Sequence, residues 1–533
     1  MIWPYLLLIA VYGACIGSFL NVVVYRMPRD LSLWHPGSHC PRCQHNLAWY
    51  DNLPILGWLL LRGRCRYCAL PIHVQYPLVE TITLALFALL PLGYYLTDFR
   101  ITFYHLGLAE TWPVLIVHLV LLAGLLGTTL IDARHYIIPL AITWFIVIVA
   151  LIVLPLAVWY KPQLFLFLMA FPQTVQYENP ILPATGKNFW NAQIGALIGL
   201  GLANVLLLFK IIPRSFAPTS LTPAQPDGIP NDSPVTATPA VMPENIQSAT
   251  VTPSPMVSDV SAQPVASAPV PGTPLSTAMF LIAAILLIPA GLSYVLGGWG
   301  ILTAMILLWL AAMVIAIWET PGDPGSPGSP DPSSIVTNDH AASPAAPASS
   351  NAANVAQAGS SQPVTQPADI HGTPEIWLAH PHPRREVLKE VLFLALPILG
   401  ALLGHYLLPR GWFSDWQPST PAPFVFSGVI MGYLVGGAII WFTRILGTLA
   451  FGKEAMGLGD VHLLACIGAV LGPTEAIIIF FLAPVLGLLC IFVSVGISRL
   501  ARGEVRAIPY GPYLALATIV LMLIRDKLDF LGF

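Results

Sequence analysis

Two aspartates, Asp132 and Asp460, lie at the edges of strongly apolar stretches in a chain that is very poor in charged residues. Only 9% of the 533 residues are Asp, Glu, Lys or Arg. An acid near the middle of a membrane helix raises the free energy of insertion by about 2.5–3.5 kcal/mol, so two such acids indicate chemistry. Two carboxyl groups that share one proton can activate water and protonate a leaving amine. The pair therefore favours an aspartic peptidase site over a proton relay.

Glycines precede the second acid, in the order Gly457-Leu458-Gly459-Asp460. Because Gly457 and Gly459 have no side chain, a substrate backbone could lie close to Asp460. We therefore expect both glycines to position a substrate.

Four cysteines form a second candidate site, in two C-x2-C pairs that are separated by 21 residues. Cys40, Cys43, Cys65 and Cys68 could surround one tetrahedral zinc ion. Since four thiolates leave no open coordination position, we expect a structural zinc that stabilises a module too small for its own core. Unmetallated or redox-active thiols are the alternative.

Long apolar segments must position these groups. The chain is 56% hydrophobic with a mean hydropathy of +0.74, and a membrane-spanning helix needs about 20 apolar residues. The sequence predicts an all-α polytopic membrane protein with about 8–12 transmembrane helices and a small cytoplasmic zinc-ribbon-like module. The candidate segments are 2–24, 76–97, 112–131, 138–158, 190–209, 276–296, 299–318, 387–408, 423–443, 460–473, 475–498 and 509–524.

Arginine placement predicts the orientation of these segments. The loop 25–75 is rich in arginine and should be cytoplasmic, which places the N-terminus outside and both aspartates on the cytoplasmic side. The first apolar run leads into Arg26 and Arg29 without a small-residue cleavage site, so we expect a retained anchor. We expect a lipid bilayer as its environment and no nucleic-acid partner.

Composition divides the chain into five blocks. Pro, Ala, Ser, Thr and Val dominate 213–274 and 319–374, and such stretches bury too little area to offset their ordering entropy, so we predict disorder there. The blocks are an anchor helix (1–25), the cytoplasmic four-cysteine module (26–75), a membrane block with Asp132 (76–212), an insert with a helical pair (213–385) and a membrane block with Asp460 (386–533).

The ordered set of motifs resembles the type IV prepilin peptidases, a family of bacterial leader peptidases. Beside the paired cysteines, the segments that carry this resemblance are Gly17–Pro28, Gln75–Glu80, Ile131–Pro139, Gly452–Asp460 and Ile508–Tyr513. The resemblance implies a GxGD-type aspartic protease of the bacterial cytoplasmic membrane, with Asp132 and Asp460 as its catalytic pair. It implies type IV prepilins or pseudopilins as substrates, cleaved after a glycine at the cytoplasmic end of their hydrophobic segment.

Family members with a cysteine module are often bifunctional, and methylate the new N-terminal residue with S-adenosylmethionine. No glycine fingerprint for that cofactor follows a strand here. Its binding residues stay unassigned, with Glu80 and Asn21 as candidates only. A peptidase without methyl transfer, a proton-coupled transporter and a non-catalytic scaffold are the alternative functions.

Two features depart from the family. His462 stands where the family has a lysine two residues after the second aspartate, and we include it among the substrate-positioning residues. The region between the catalytic motifs is also much longer and holds additional apolar segments. Because the two aspartates must still meet, we expect this insert to loop out to the side.

Helix polarity suggests a role for each acid. An apolar run follows Asp460 at once, so this residue lies at a helix N-terminus, where an anion is stabilised. Asp132 lies near the C-terminal end of its helix, where an anion is disfavoured. We therefore expect Asp460 to be the ionised base and Asp132 the protonated acid.

Overall fold

Most of the secondary structure is α-helical, and the long apolar helices pack into a bundle. The computed structural model describes residues 2–40, 42–97, 99–164, 182–184, 189–213, 215, 275–317, 382–408, 421–501 and 509–529. The α-helices there are α1 (Trp3–Arg26), α2 (Leu56–Leu60), α3 (Gln75–Tyr95), α4 (Ile101–Leu106), α5 (Leu108–His135), α6 (Leu140–Tyr160), α7 (Trp190–Leu208), α8 (Leu275–Ile317), α9 (Pro383–Leu407), α10 (Ala422–Phe451), α11 (Leu458–Leu471), α12 (Pro473–Ala501) and α13 (Gly511–Asp529).

Nine of the helices in these ranges contain a stretch that is long and apolar enough to cross a membrane. This confirms the prediction of an all-α polytopic membrane protein. The predicted segment 276–296 forms the first part of α8, and 460–473 and 509–524 form α11 and α13, but none of these three is among the nine. The helix α11 has only 14 residues, which is short of the roughly 20 that span a bilayer.

Glycines bring several helix pairs into backbone contact. A Cβ at Gly17 of α1 would lie 2.7 Å from Cα of Glu80 on α3. Gly195 of α7 lies against the backbone of Gly400 on α9, and Gly432 of α10 lies against that of Gly468 on α11. Small residues are favoured at such contacts because the close approach increases van der Waals packing where lipid offers no hydrophobic driving force.

The second half of α8 packs inside the bundle. It contacts α3, α5 and α13, and the side chains of Met305 and Trp309 are fully buried. The expectation that the insert loops out to the side is therefore wrong for this helix. Hydropathy shows that a segment is apolar, but it does not distinguish a lipid-facing helix from a protein-facing one, since both environments are apolar.

The stretches for which the sequence predicts disorder lie outside the described residues, except for 213 and 215. The boundaries of the five blocks stay predictions.

Candidate active site

Asp132 lies in the last turn of α5. That helix ends at Tyr136, whose left-handed φ of 55° closes it and whose N–H donates to the Asp132 carbonyl oxygen at 2.9 Å. The Asp132 side chain is buried. Its Oδ2 atom has no hydrogen-bond partner in the part of the chain that the structure describes. The backbone N–H of Gly511, at the start of α13, interacts with the same carboxyl group.

Asp460 occupies the first turn of α11, and it is also buried. Gly457 is the N-cap of this helix, and its extended backbone lets its N–H donate to the Asp460 carboxylate. An acid at the third helical position that accepts from the N-cap N–H forms one half of a capping box. The glycine-rich turn thus places this carboxylate at the positive end of the helix dipole.

The structure brings the two carboxyl groups together, although their helices lie far apart in the chain. Helix α5 contacts α11, and the carboxyl groups of Asp132 and Asp460 interact electrostatically. The start of α13 closes the site from a third side, because a Cβ at Gly511 would lie 2.6 Å from Asp132 Oδ2. Two buried carboxyl groups that interact in this way repel each other when both are ionised, which favours their sharing one proton.

The two glycines before Asp460 have different surroundings. A Cβ at Gly459 would lie 2.8 Å from Cβ of Ile138, so this glycine allows α11 to pack on the segment between α5 and α6. Gly457 is open, and its nearest side-chain atom is Asp460 Oδ2 at 3.7 Å from a Cβ built there. The role of both residues in positioning substrate stays a prediction.

His462 points away from the acids. Two residues along an α-helix correspond to about 200° of rotation, so His462 and Asp460 lie on opposite faces of α11. The imidazole is half-buried and lies 6.3 Å from the ring of Trp144 on α6. Its predicted role in substrate positioning is not supported by any contact with the two acids.

The four paired cysteines converge in a small module between α1 and α3. Their sulfur atoms all lie within 4.8 Å of one another, with 3.9 Å between Cys40 and Cys68 and 4.0 Å between Cys43 and Cys65. Tetrahedral zinc with bonds of about 2.3 Å would separate its sulfur ligands by about 3.8 Å. The cluster therefore fits a metal ion of that geometry.

The two cysteine pairs have matched backbone geometry. The Cys40 N–H donates to the His45 carbonyl oxygen at 3.0 Å, and the Cys65 N–H donates to that of Leu70 at 2.9 Å. Burial would raise the pKa of the Cys65 thiol, but hydrogen bonds from the backbone of Cys68 and Tyr67 and from the side chains of Cys68 and Cys40 together lower this pKa to about 7. Such N–H groups around a sulfur stabilise the thiolate that a metal requires.

Glu80 connects the cysteine module to α3, and Asn21 connects α1 to α3. Glu80 Oε2 accepts from the N–H of Ile55, just before α2, at 2.6 Å. Asn21 Nδ2 donates to the Tyr76 carbonyl oxygen at 3.1 Å. Both side chains are buried in these contacts, and their candidate role in cofactor binding stays a prediction.

Comparisons with known proteins match both ends of the chain. The model of the bacterial peptidase A24 N-terminal domain matches residues 11–94, which contain the four cysteines. The model of the type IV leader peptidase family matches residues 391–492, which contain Asp460. In these two ranges the chain is similar to the type IV leader peptidases. Asp132 lies between the two matched ranges.

Curated proteins that are similar to this chain carry related names. It is 47% identical over 133 residues to a prepilin leader peptidase/N-methyltransferase of Myxococcus xanthus (strain DK1622), which covers 25% of this chain and 35% of the relative. It is 39% identical over 137 residues to one of Klebsiella pneumoniae, with 25% and 54% covered. It is 43% identical over 100 residues to one of Pectobacterium carotovorum subsp. carotovorum, with 15% and 36% covered.

The chain thus spans about a third to a half of the length of the curated relatives it matches. No solved structure matches this chain.

Two residues beside the site were not among the residues predicted from the sequence. Gly511 belongs to the terminal motif, but nothing local in the sequence indicates that it meets Asp132. Arg444 is the second, although a charged residue inside an apolar helix is itself a signal of function. The structure places its guanidinium close enough to Asp460 for an electrostatic interaction.

Proposed function

We propose that this protein is a membrane aspartic endopeptidase that removes the leader peptide of type IV prepilins or pseudopilins. The single observation that carries the proposal is the convergence of Asp132 and Asp460 in one buried site. The names of the curated relatives supply the substrate class. A proton-relay transporter would place its acids near the bilayer midplane, whereas these two lie at helix ends.

The surroundings of each carboxyl group support different roles for the two acids. Asp460 accepts a backbone N–H at a helix N-terminus and lies near Arg444, which suits an ionised base that takes a proton from water. Asp132 lies at a helix C-terminal end with one oxygen unpartnered among the described residues, which suits a protonated acid. Asp132 would then hydrogen-bond the scissile carbonyl oxygen, and the pair would return a proton to the leaving amine.

The arginine-rich loops support a cytoplasmic position for this chemistry in a bacterial inner membrane. Gln75, at the start of α3, accepts from Arg134, two residues after Asp132, at 2.7 Å. The cysteine module and the two acids therefore lie at the same end of the bundle. With that end inside, the enzyme would cut at the cytoplasmic end of a substrate's hydrophobic helix.

We also propose that the protein methylates the new N-terminus, since its relatives are named N-methyltransferases as well as peptidases. S-adenosylmethionine would supply the methyl group. Cys40, Cys43, Cys65 and Cys68 would hold a structural zinc ion, which would stabilise the module that Glu80 joins to α3.

Co-expression with a prepilin tests the peptidase. The wild-type protein should remove the leader, and the single variants Asp132→Asn and Asp460→Asn should each lose removal, because an amide can neither serve as the base nor share the proton. Cys15→Ser, in the apolar face of α1, is the matched control and should keep full activity. Mass spectrometry of the same product would report a methyl group as an additional mass of about 14 Da.

Two outcomes would contradict the proposal. The leader could remain on the substrate in cells that make the wild-type protein, or either asparagine variant could retain wild-type cleavage. Cleavage that leaves the new N-terminus without a methyl group would contradict only the proposed methyl transfer.

A further inference from the structure

A second buried charge network adjoins the site, and its centre is Arg444. This residue lies on α10 and its side chain is fully buried. Its Nε and Nη2 atoms face both carboxylate oxygens of Glu390 on α9, at 3.1–3.2 Å. Removing an arginine from water requires such a fork-to-fork partner, because an unpaired buried charge is strongly unfavourable.

The other edge of the guanidinium faces the loop that leads into α11. Nη1 of Arg444 donates to Glu454 Oε1 at 2.6 Å and also to the carbonyl oxygen of Met456. Ala455, between those two residues, donates its N–H to Thr448 Oγ1 at 3.2 Å. The loop 452–457 is thus held on α10 by one arginine and one threonine.

The Met456 carbonyl connects Arg444 to Asp460 through a single planar group. The carbonyl oxygen of Met456 and the N–H of Gly457 belong to the same peptide unit, which is rigid and places them on opposite sides. Arg444 binds the oxygen, and the N–H donates to the Asp460 carboxylate. A donor on the oxygen polarises the amide and strengthens the bond that its N–H makes.

We propose that Arg444 is a positioning residue that fixes the Asp460 carboxylate by holding the Met456–Gly457 peptide in one orientation. This inference rests on the proposed peptidase function. The inference also gives α9, which begins at the end of the insert, a part in the reaction. Glu390 of α9 neutralises Arg444, and Trp441 Nε1 donates to Glu390 at 2.8 Å.

Arg444→Lys tests this inference, because a lysine keeps the charge but cannot span Glu390 and Met456 together. We expect kcat for leader removal to fall by about 100-fold, as for a displacement of about 1 Å in the reacting group. KM should change by less than about threefold, since Arg444 does not touch the substrate. A general loss of structure would lower the active fraction, whereas a displaced carboxylate lowers the turnover of fully folded enzyme.

The matched control is Arg525→Lys. Arg525 is also a buried arginine and pairs with Glu475 at 3.0 Å, but it lies near the C-terminal end of α13 and takes no part in the site. This variant should keep kcat within about twofold. If Arg444→Lys does not fold, the double variant Arg444→Gln with Glu390→Gln replaces it in the test, because it removes both buried charges and leaves neither unpaired.

Hydrogen exchange of the peptide that spans 452–460 gives a second readout that does not depend on catalysis. Exchange there should quicken by about tenfold or more in Arg444→Lys and stay unchanged in Arg525→Lys. Wild-type kcat in either Arg444 variant, or unchanged exchange in 452–460, would overturn the positioning role. If the wild-type protein cleaves no prepilin but exchange in 452–460 is faster in Arg444→Lys, the positioning role is supported and the peptidase function is rejected.

Discussion

At the scale of single residues, the site depends on positions where no side chain is tolerated. Gly511 begins α13 directly against Asp132. Its contribution is space, because the atom nearest to an added Cβ would be Oδ2 of Asp132. Such a residue affects the geometry of catalysis more than the stability of the fold.

Gly511→Ala is therefore expected to reduce kcat by about 100-fold. The new Cβ would lie 2.6 Å from Asp132 Oδ2 and would turn the carboxyl group away from its partner. Leader removal at saturating prepilin, measured on purified enzyme in lipid, checks this. Gly201→Ala on α7 is the control, since nothing lies within 4 Å of a Cβ there. Equal rates for the two variants would contradict this account of Gly511.

The cysteine cluster also makes a prediction at this scale. Cys65→Ser should lose the bound metal, since a neutral hydroxyl is a much poorer zinc ligand than a thiolate. Metal analysis of the purified protein should find one zinc per wild-type chain and about none in the variant. Cys15→Ser should keep the metal, because Cys15 is exposed on α1 away from the cluster. Full zinc in Cys65→Ser would reject the four-cysteine site.

At the scale of helices, α8 is a structural part of the bundle. Its end is joined to α5 by Arg134, which donates from Nε to the Ala316 carbonyl oxygen at 2.6 Å. Arg134 is two residues from Asp132, so the end of α8 helps to fix the last turn of α5, which carries Asp132. Charged donors at the last carbonyl groups of a helix also offset its dipole.

Trp309→Ala tests the integration of α8. The indole is fully buried, and removing a buried tryptophan leaves a cavity that lowers the free energy of unfolding by about 3–5 kcal/mol. Leu307→Ala on the same helix should have a much smaller effect, because Leu307 is 46% exposed. Denaturant unfolding in detergent compares the two variants. A helix that looped out to the side would show no difference between them.

At the scale of the whole molecule, α13 connects the site with an ion-pair cluster at the other end of the bundle. Gly511 meets Asp132, and Asp526 lies 15 residues further along, or about 22 Å of helix. Asp526 Oδ1 pairs with Arg100 Nε at 3.1 Å, and both side chains are buried. Arg100 also donates to the Met522 carbonyl oxygen at 2.8 Å, so this end of α13 is firmly attached to the segment before α4.

Asp526→Asn should separate stability from catalysis. It leaves Arg100 without its buried charge partner, which is expected to lower the free energy of unfolding by about 3 kcal/mol. The kcat for leader removal at a permissive temperature should stay within about twofold, because the cluster is remote from the acids. Thermal unfolding and initial rates on the same preparation check both parts. A large loss of kcat without a loss of stability would contradict this division.

The sequence by itself determined the features that depend on local pattern. Runs of about 20 apolar residues specify membrane helices wherever they occur, and the nine spans among the described residues fall on predicted segments. The C-x2-C spacing brings Cys40 next to Cys43 and Cys65 next to Cys68 whatever the rest of the chain does. The glycines before Asp460 likewise indicate the turn that opens α11.

Only the tertiary structure decided which of these features meet. That Gly511 meets Asp132, that Glu390 holds Arg444, and that α8 lies in the bundle rather than beside it all depend on contacts between distant segments. Hydropathy cannot supply those contacts, because an apolar face is equally compatible with lipid and with another helix. Which helices pack together is decided instead by close backbone approach at small residues and by pairing of buried charges. Both become visible only when the helices are packed.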